Sequence, residues 1–97
     1  MIVRIVKLVF RAECTSQFIA LFEQKREKIA AFDGCHSVEL WRVADQTDTF
    51  YTYSIWDSAV HLEQYRQSDF FRQTWAVART YFAAPPEAHT AEKVTQK

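Results

Sequence analysis

From Ile2 to Phe10 the chain is dominated by β-branched and other apolar residues, which suit a pleated, buried surface. Alternation places Ile2, Val6, Leu8 and Phe10 on one side and Val3, Ile5 and Val9 on the other, interrupted only by Arg4 and Lys7. Apolar side chains on both sides predict a strand covered on both faces, because a half-solvated antiparallel strand alternates apolar with polar. The period then changes. Phe18, Phe22, Ile29 and Phe32, with Ile19 beside them, recur at helical spacing, while Glu23, Lys25, Arg26, Glu27 and Lys28 fill the opposite side. Thr15 or Ser16 is expected to cap this helix. Asp33-Gly34 is expected to end it, because the chain's one glycine takes the left-handed conformation without steric cost.

His36–Val43 returns to alternation, with Val38 and Leu40 against Trp41 and Val43. Ala44–Asp48 is polar and turn-like, and Thr49–Trp56 reads as a third strand in hairpin with the second. Tyr51, Tyr53 and Ile55 face one way, and Phe50, Thr52, Ser54 and Trp56 the other, so again neither face is plainly solvated. Asp57-Ser58 opens a short helix to about Arg66. Ser68 restarts the helix, and Phe71, Trp75, Ala78 and Phe82 form an amphipathic stripe that Pro85-Pro86 stops. The tail, residues 88–97, is weakly patterned, with Thr90–Thr95 as a candidate fourth strand.

The order β-α-β-β-α-β predicts one α+β domain over residues 1–97, of the ferredoxin-like type, with an antiparallel sheet and two helices on one face. Two helices cover only one face. The second apolar face needs its own cover, and two such sheets pairing face to face as a dimeric α+β barrel supply it, so a homodimer is expected. Residues 88–97 are candidates for a strand swapped onto the partner.

Composition sharpens this reading. Eight Phe, four Tyr and three Trp in 97 residues are more large apolar surface than one compact core easily hides, which points to an interface or a ligand cavity. Twelve basic and twelve acidic residues balance, and no basic stripe appears, which argues against nucleic acid and anionic membrane as partners. No apolar run approaches the ~20 residues of a membrane span. Met1 leads directly into the first strand without a cleavable leader, so a cytoplasmic location is expected. Cys14 and Cys35 with the scattered His36, His61 and His89 match no metal spacing, and the thiols read as free and reduced. A chain with one glycine holds no phosphate-binding loop or dinucleotide fingerprint, and no cofactor is expected.

The stretch Phe50-Tyr51-Thr52-Tyr53-Ser54-Ile55-Trp56-Asp57-Ser58, followed by Leu62, Tyr65, Ser68, Phe70 and Phe71, resembles the core signature of the antibiotic biosynthesis monooxygenase family. The opening strand and Phe32-Asp33-Gly34-Cys35 fit the same pattern, so the resemblance spans roughly residues 2 to 94. It implies the dimeric α+β barrel and, among its members' activities, cofactor-independent oxygenation of quinols and anthrones. Many members carry His where Tyr65 stands here, and often a second at Phe70. Haem-degrading members use an Asn on the first strand, Trp at the Tyr65 position and an iron-binding His at the Trp75 position. This chain has no Asn around Lys7, and Trp75 cannot ligate iron, so haem degradation is not implied.

The candidate substrate site is therefore a cavity between helices and sheet, walled by Tyr65, Trp75 and Phe71, with Tyr53 and Trp56 as possible hydrogen-bond donors into the same space. Strand position also suits Tyr53 and Trp56 to a dimer interface. An oxygenase of this type needs a substrate that ionises and reacts with O₂ itself, and His61, at the start of the short helix, and His36, at the start of the second strand, are the candidate bases. Spacing gives neither histidine a carboxylate partner. Two functions follow. One is a cofactor-free monooxygenase of a small aromatic or quinol-type molecule; the other is a non-catalytic dimeric ligand-binding or stress-response domain of the same fold.

Overall fold

The computed structural model describes residues 1–95, and residues 96 and 97, the end of the candidate swapped tail, lie outside the described residues. Strands β1 (Ile2–Val9), β2 (Cys35–Arg42), β3 (Thr49–Trp56) and β4 (Glu87–Ala91) form one sheet in the order β2-β3-β1-β4. All neighbours are antiparallel, β1 pairing with β3 from Ile2↔Trp56 to Val9↔Thr49. Helices α1 (Thr15–Ala30), α2 (Ala59–Arg66) and α3 (Asp69–Arg79) complete the ferredoxin-like α+β fold. The second expected helix is two. Gln67 caps the end of α2, and the Ser68 hydroxyl accepts from the Phe71 N–H at 3.1 Å to start α3.

Three local expectations are corrected. Neither Thr15 nor Ser16 caps α1: Cys14 occupies that position after a 3-10 turn (Ala12–Cys14), and the Thr15 hydroxyl instead donates to Asp48 Oδ1 at 3.0 Å. Helix α1 ends at Ala30, so Gly34, at φ +83°, serves the turn into β2 rather than the helix end itself. The fourth strand is Glu87–Ala91, starting directly after Pro85-Pro86, with Val3↔Ala91 and Lys7↔Glu87 as its limits against β1 of its own chain. Its mostly exposed side chains are those of an edge strand, which is why alternation did not reveal it.

Helices lie on the sheet face that carries Arg4, Val6 and Leu8 of β1 and Phe50, Thr52, Ser54 and Trp56 of β3. The core there is Leu8, Phe10, Phe18, Phe22, Phe50 and Ala78, with the Phe10 and Phe18 rings stacked at 4.2 Å. Each large side chain so buried contributes on the order of 1.5–3 kcal/mol, which makes this cluster the main reason the helices dock where they do. The other face stays without a helix. Val3, Ile5, Tyr51, Tyr53 and Ile55 are only half-buried there, and Trp41 is 59% exposed. No helix among the described residues is long and apolar enough to cross a membrane.

Candidate functional site

A cavity of about 340 Å³ opens between the helices and the sheet face they cover. Small-molecule sites run roughly from 300 to 1,000 Å³, so this volume suits a compact ligand. Its floor comes mainly from β1 and β3 and its walls from α1, α2 and α3, so the split of the second helix shapes it directly.

Tyr65, on α2, is fixed by three aromatic neighbours. Its ring stacks on Trp56 at 5.0 Å and meets Phe71 and Phe32 edge-on at 5.1 and 5.0 Å. Burial, with a smaller contribution from nearby Cys35, pushes the Tyr65 phenol well above its ordinary range. It therefore stays a neutral hydroxyl, suited to donate a hydrogen bond rather than to act as a phenolate base. Burial also raises the Cys35 thiol, whose Sγ lies 3.7 Å from the Ser37 carbonyl. Trp75, on α3, lies parallel to Phe71 at 5.9 Å and meets Phe82 edge-on at 5.4 Å. Tyr65, Phe71 and Trp75 all line this cavity.

Trp56 lines the same cavity but does not serve as proposed from its strand position. It is fully buried beneath the helices, away from the uncovered face, and its indole N–H donates to Ser54 Oγ at 3.0 Å. It supplies a flat wall, with its donor already engaged. Tyr53 is corrected as well. It points to the uncovered face, beside Ile5, Glu39, Trp41 and Tyr51 around an open depression. Alternation along β3 separates Tyr53 from Trp56 by an odd number of steps, so the two cannot share one face.

Neither His36 nor His61 lines the cavity. Both sit at the end of the sheet, where the turn into β2 meets the start of α2. His36 Nε2 is 2.5 Å from Asp57 Oδ1, and this hydrogen bond holds the Asp57 carboxyl below its usual range. His61 Nδ1 is 2.8 Å from Ser58 Oγ, and its Nε2 is 3.7 Å from Asp33 Oδ2. Both histidines thus have the carboxylate neighbours that spacing had not disclosed. The signal lay in the strand register, since Cys35 pairs with Trp56 and an irregularity between Cys35 and Ser37 sets His36 beside Asp57. Among the described residues no three His, Cys, Asp or Glu side chains converge as metal ligands.

The cavity also holds two cations that sequence reasoning passed over, Arg4 and Arg66. Arg4 Nη1 donates to Thr90 Oγ1 at 3.0 Å across the β1–β4 pair. Burial and the nearby Arg66 lower the Arg4 pKa, opposed by Glu63. Arg66 Nη1 lies 3.2 Å from Glu63 Oε2, and Glu63 also accepts from Gln67 at 2.8 Å. The clue was the position of Arg4 in the alternation, on the same face as Val6 and Leu8, where a charge is rare without a reason.

A family model described as antibiotic biosynthesis monooxygenase matches residues 1–77, from β1 through most of α3, including every aromatic wall residue named above. The chain belongs to the antibiotic biosynthesis monooxygenase family. Solved structures share its fold throughout. Rv0793 from Mycobacterium tuberculosis superposes with a TM-score of 0.89 at 20% identity, over 98% of this chain and 96% of that one. A Bordetella bronchiseptica protein named for the same family gives 0.87 at 25% identity, over 97% of each chain. A variant of SnoaB, a cofactor-independent oxygenase from Streptomyces nogalater, gives 0.87 at 12% identity, over 98% of this chain and 94% of that one. Comparison with curated proteins returns no match.

Proposed function

We propose that this family member is a cofactor-independent monooxygenase of a small phenolic polycycle, of quinol or anthrone type, bound between helices and sheet. The observation that carries the reading is the aromatic wall: the stacked pair Tyr65 and Trp56 and the parallel pair Trp75 and Phe71 all line one cavity. A fused-ring ligand is held there by area burial and by offset or edge contacts. SnoaB, a cofactor-independent oxygenase, has the same fold, which supports this reading.

For an anthrone, the ring methylene loses a proton to give an electron-rich anion, which reduces O₂. One oxygen atom ends in a new carbonyl, and the other leaves as water with the two methylene hydrogens. The substrate supplies all four electrons, so no external reductant is required. The protein's part is to hold the ring, keep bulk water away and stabilise charge on the substrate oxygen. We assign the last of these to Tyr65, which lines the cavity and keeps its phenolic proton. Both histidines lie outside the cavity lining, and the proton released in the first step ends in the water that leaves.

The proposal includes a homodimer. Trp41, Tyr51, Tyr53 and Ile5 leave an apolar sheet face without intramolecular cover, and a second copy laid on it would bury that face. The absence of His36 and His61 from the lining favours one other reading, a dimeric domain that binds the same ligand without turning it over. Oxygen uptake by metal-free protein with a panel of anthrones and reduced quinols separates the two. Uptake above the spontaneous rate, lost in Trp75→Ala, is expected; ring binding without uptake would leave the binding domain.

A further inference from the structure

We infer that the ligand of this cavity binds as an oxyanion on an aromatic framework, gripped by Arg4 and Arg66; this rests on the cavity being the substrate site. Arg4 occupies an inward position of β1, between Ser54 of β3 and Thr90 of β4, on a face otherwise given to Val6, Leu8 and the aromatic core. Arg4 is half-buried there, and a guanidinium on a mostly apolar inward face ordinarily has a partner of opposite charge. What Arg4 has instead is a neutral hydroxyl, Thr90, and a second guanidinium, Arg66, in the same cavity.

Charge balance does not come from nearby acids. Glu63 is the acidic group that acts on Arg4, but it is already bonded to Arg66 and Gln67, at an exposed position on α2. Its single carboxylate faces two guanidiniums. Arg4 and Arg66 line the same cavity and repel one another, and an anion between them relieves that repulsion. Guanidinium forks suit carboxylate and enolate oxygens because several N–H donors lie in one plane, and the bond to Thr90 leaves most of Arg4's donors uncommitted. The aromatic wall of Tyr65, Phe71 and Trp75 then takes the ring to which that oxygen is attached. The anionic oxygen has two chemical sources: an acid group carried on the ring, or a ring hydroxyl that ionises on binding.

The test is titration of the intact protein with naphthalene-2-carboxylate, naphthalene-2-carboxamide and 2-naphthol, read by quenching of tryptophan fluorescence and by 2-naphtholate absorbance. The carboxylate is expected to bind at least about tenfold more tightly than the carboxamide, as a charge-assisted contact requires. That preference should shrink in Arg4→Gln and in Arg66→Gln; Arg66→Gln, at the exposed rim, also covers the case that Arg4→Gln disturbs β4. A carboxylate preference marks a carried acid group, and a lowered ionisation pH of bound 2-naphthol marks an ionising hydroxyl; either supports the inference. Equal binding of carboxylate and carboxamide, with 2-naphthol ionising at its free value, would overturn it and leave the cavity reading intact. If none of the three binds, both readings fall.

Discussion

The ring of His61 occupies the space that a side chain at Gly34 would fill. Gly34 also sits at φ +83°, where L side chains are strained, so two independent constraints converge on one residue. The pair locks the turn into β2 against the start of α2, where the Ser58 hydroxyl receives the His61 N–H at 3.3 Å. Gly34→Ala is expected to lower stability by about 1–3 kcal/mol in urea denaturation. Adding His61→Ala should recover the steric part and leave the backbone part, giving a measurable coupling between the two sites. A Gly34→Ala protein as stable as the parent would contradict this contact.

His61 packed against a turn and His36 bound to Asp57 are structural roles at a distance from the aromatic cavity. Loss of a general base lowers turnover by about 10²- to 10⁴-fold. His36→Ala and His61→Ala are instead expected to turn over an anthrone within about twofold of the parent, a margin far below that base effect. A loss of a hundredfold in either would return that histidine to the chemistry.

Tyr65 makes a pH prediction. The folded state holds its phenolic proton more tightly than the unfolded chain, whose ordinary value is 10.0. Stability from this difference is complete below about pH 10 and falls as pH rises from there toward the folded-state value. Melting temperatures measured from about pH 9 to 11 should therefore drop more steeply for the parent than for Tyr65→Phe. Parallel curves would mean that the phenol is not held neutral by its surroundings. At neutral pH the same variant keeps the ring contacts with Trp56, Phe71 and Phe32 and should melt close to the parent.

The uncovered sheet face gives a fourth test. Trp41, 59% exposed, and Tyr53 flank the same depression as Ile5. A double change, Trp41→Lys with Tyr53→Lys, places like charges on what the proposal treats as a self-complementary surface. Sedimentation equilibrium is expected to show the parent as a dimer and the variant as a folded monomer. A monomeric parent, or an unaffected variant, would remove this face as the interface.

Much of the fold was legible because alternation and helical spacing are strong where apolar runs are long. Thr49–Trp56 emerged with the bounds that the structure has, and the Phe71–Trp75–Ala78 stripe identified the helix that walls the cavity. What escaped depended on long-range pairing. The Glu87–Ala91 strand carries mostly exposed side chains, so only its partner β1 defines it. Thr15 bonds to Asp48, a residue distant in sequence, in preference to its own helix. Tyr65, Trp75 and Phe71 were legible as one aromatic group between helices and sheet, because their spacing sets them on inward helix faces. Arg4 and Arg66 were not, because a charged residue in a strand or a short helix becomes unusual only once its face is known to be inward. Tyr53 was misplaced although alternation already set it on the face opposite Trp56, because nothing in the sequence told which of the two faces the helices cover.

The most direct measurement of the central claim is isotope accounting: turnover of 1,8-dihydroxyanthrone by metal-free protein under ¹⁸O₂, with the product analysed by mass spectrometry. The account expects anthraquinone formed faster than in protein-free buffer, with one labelled oxygen in each product and the other in water, and that acceleration lost in Trp75→Ala. A rate equal to the protein-free control, or peroxide in place of labelled product, would contradict a monooxygenase acting in this cavity.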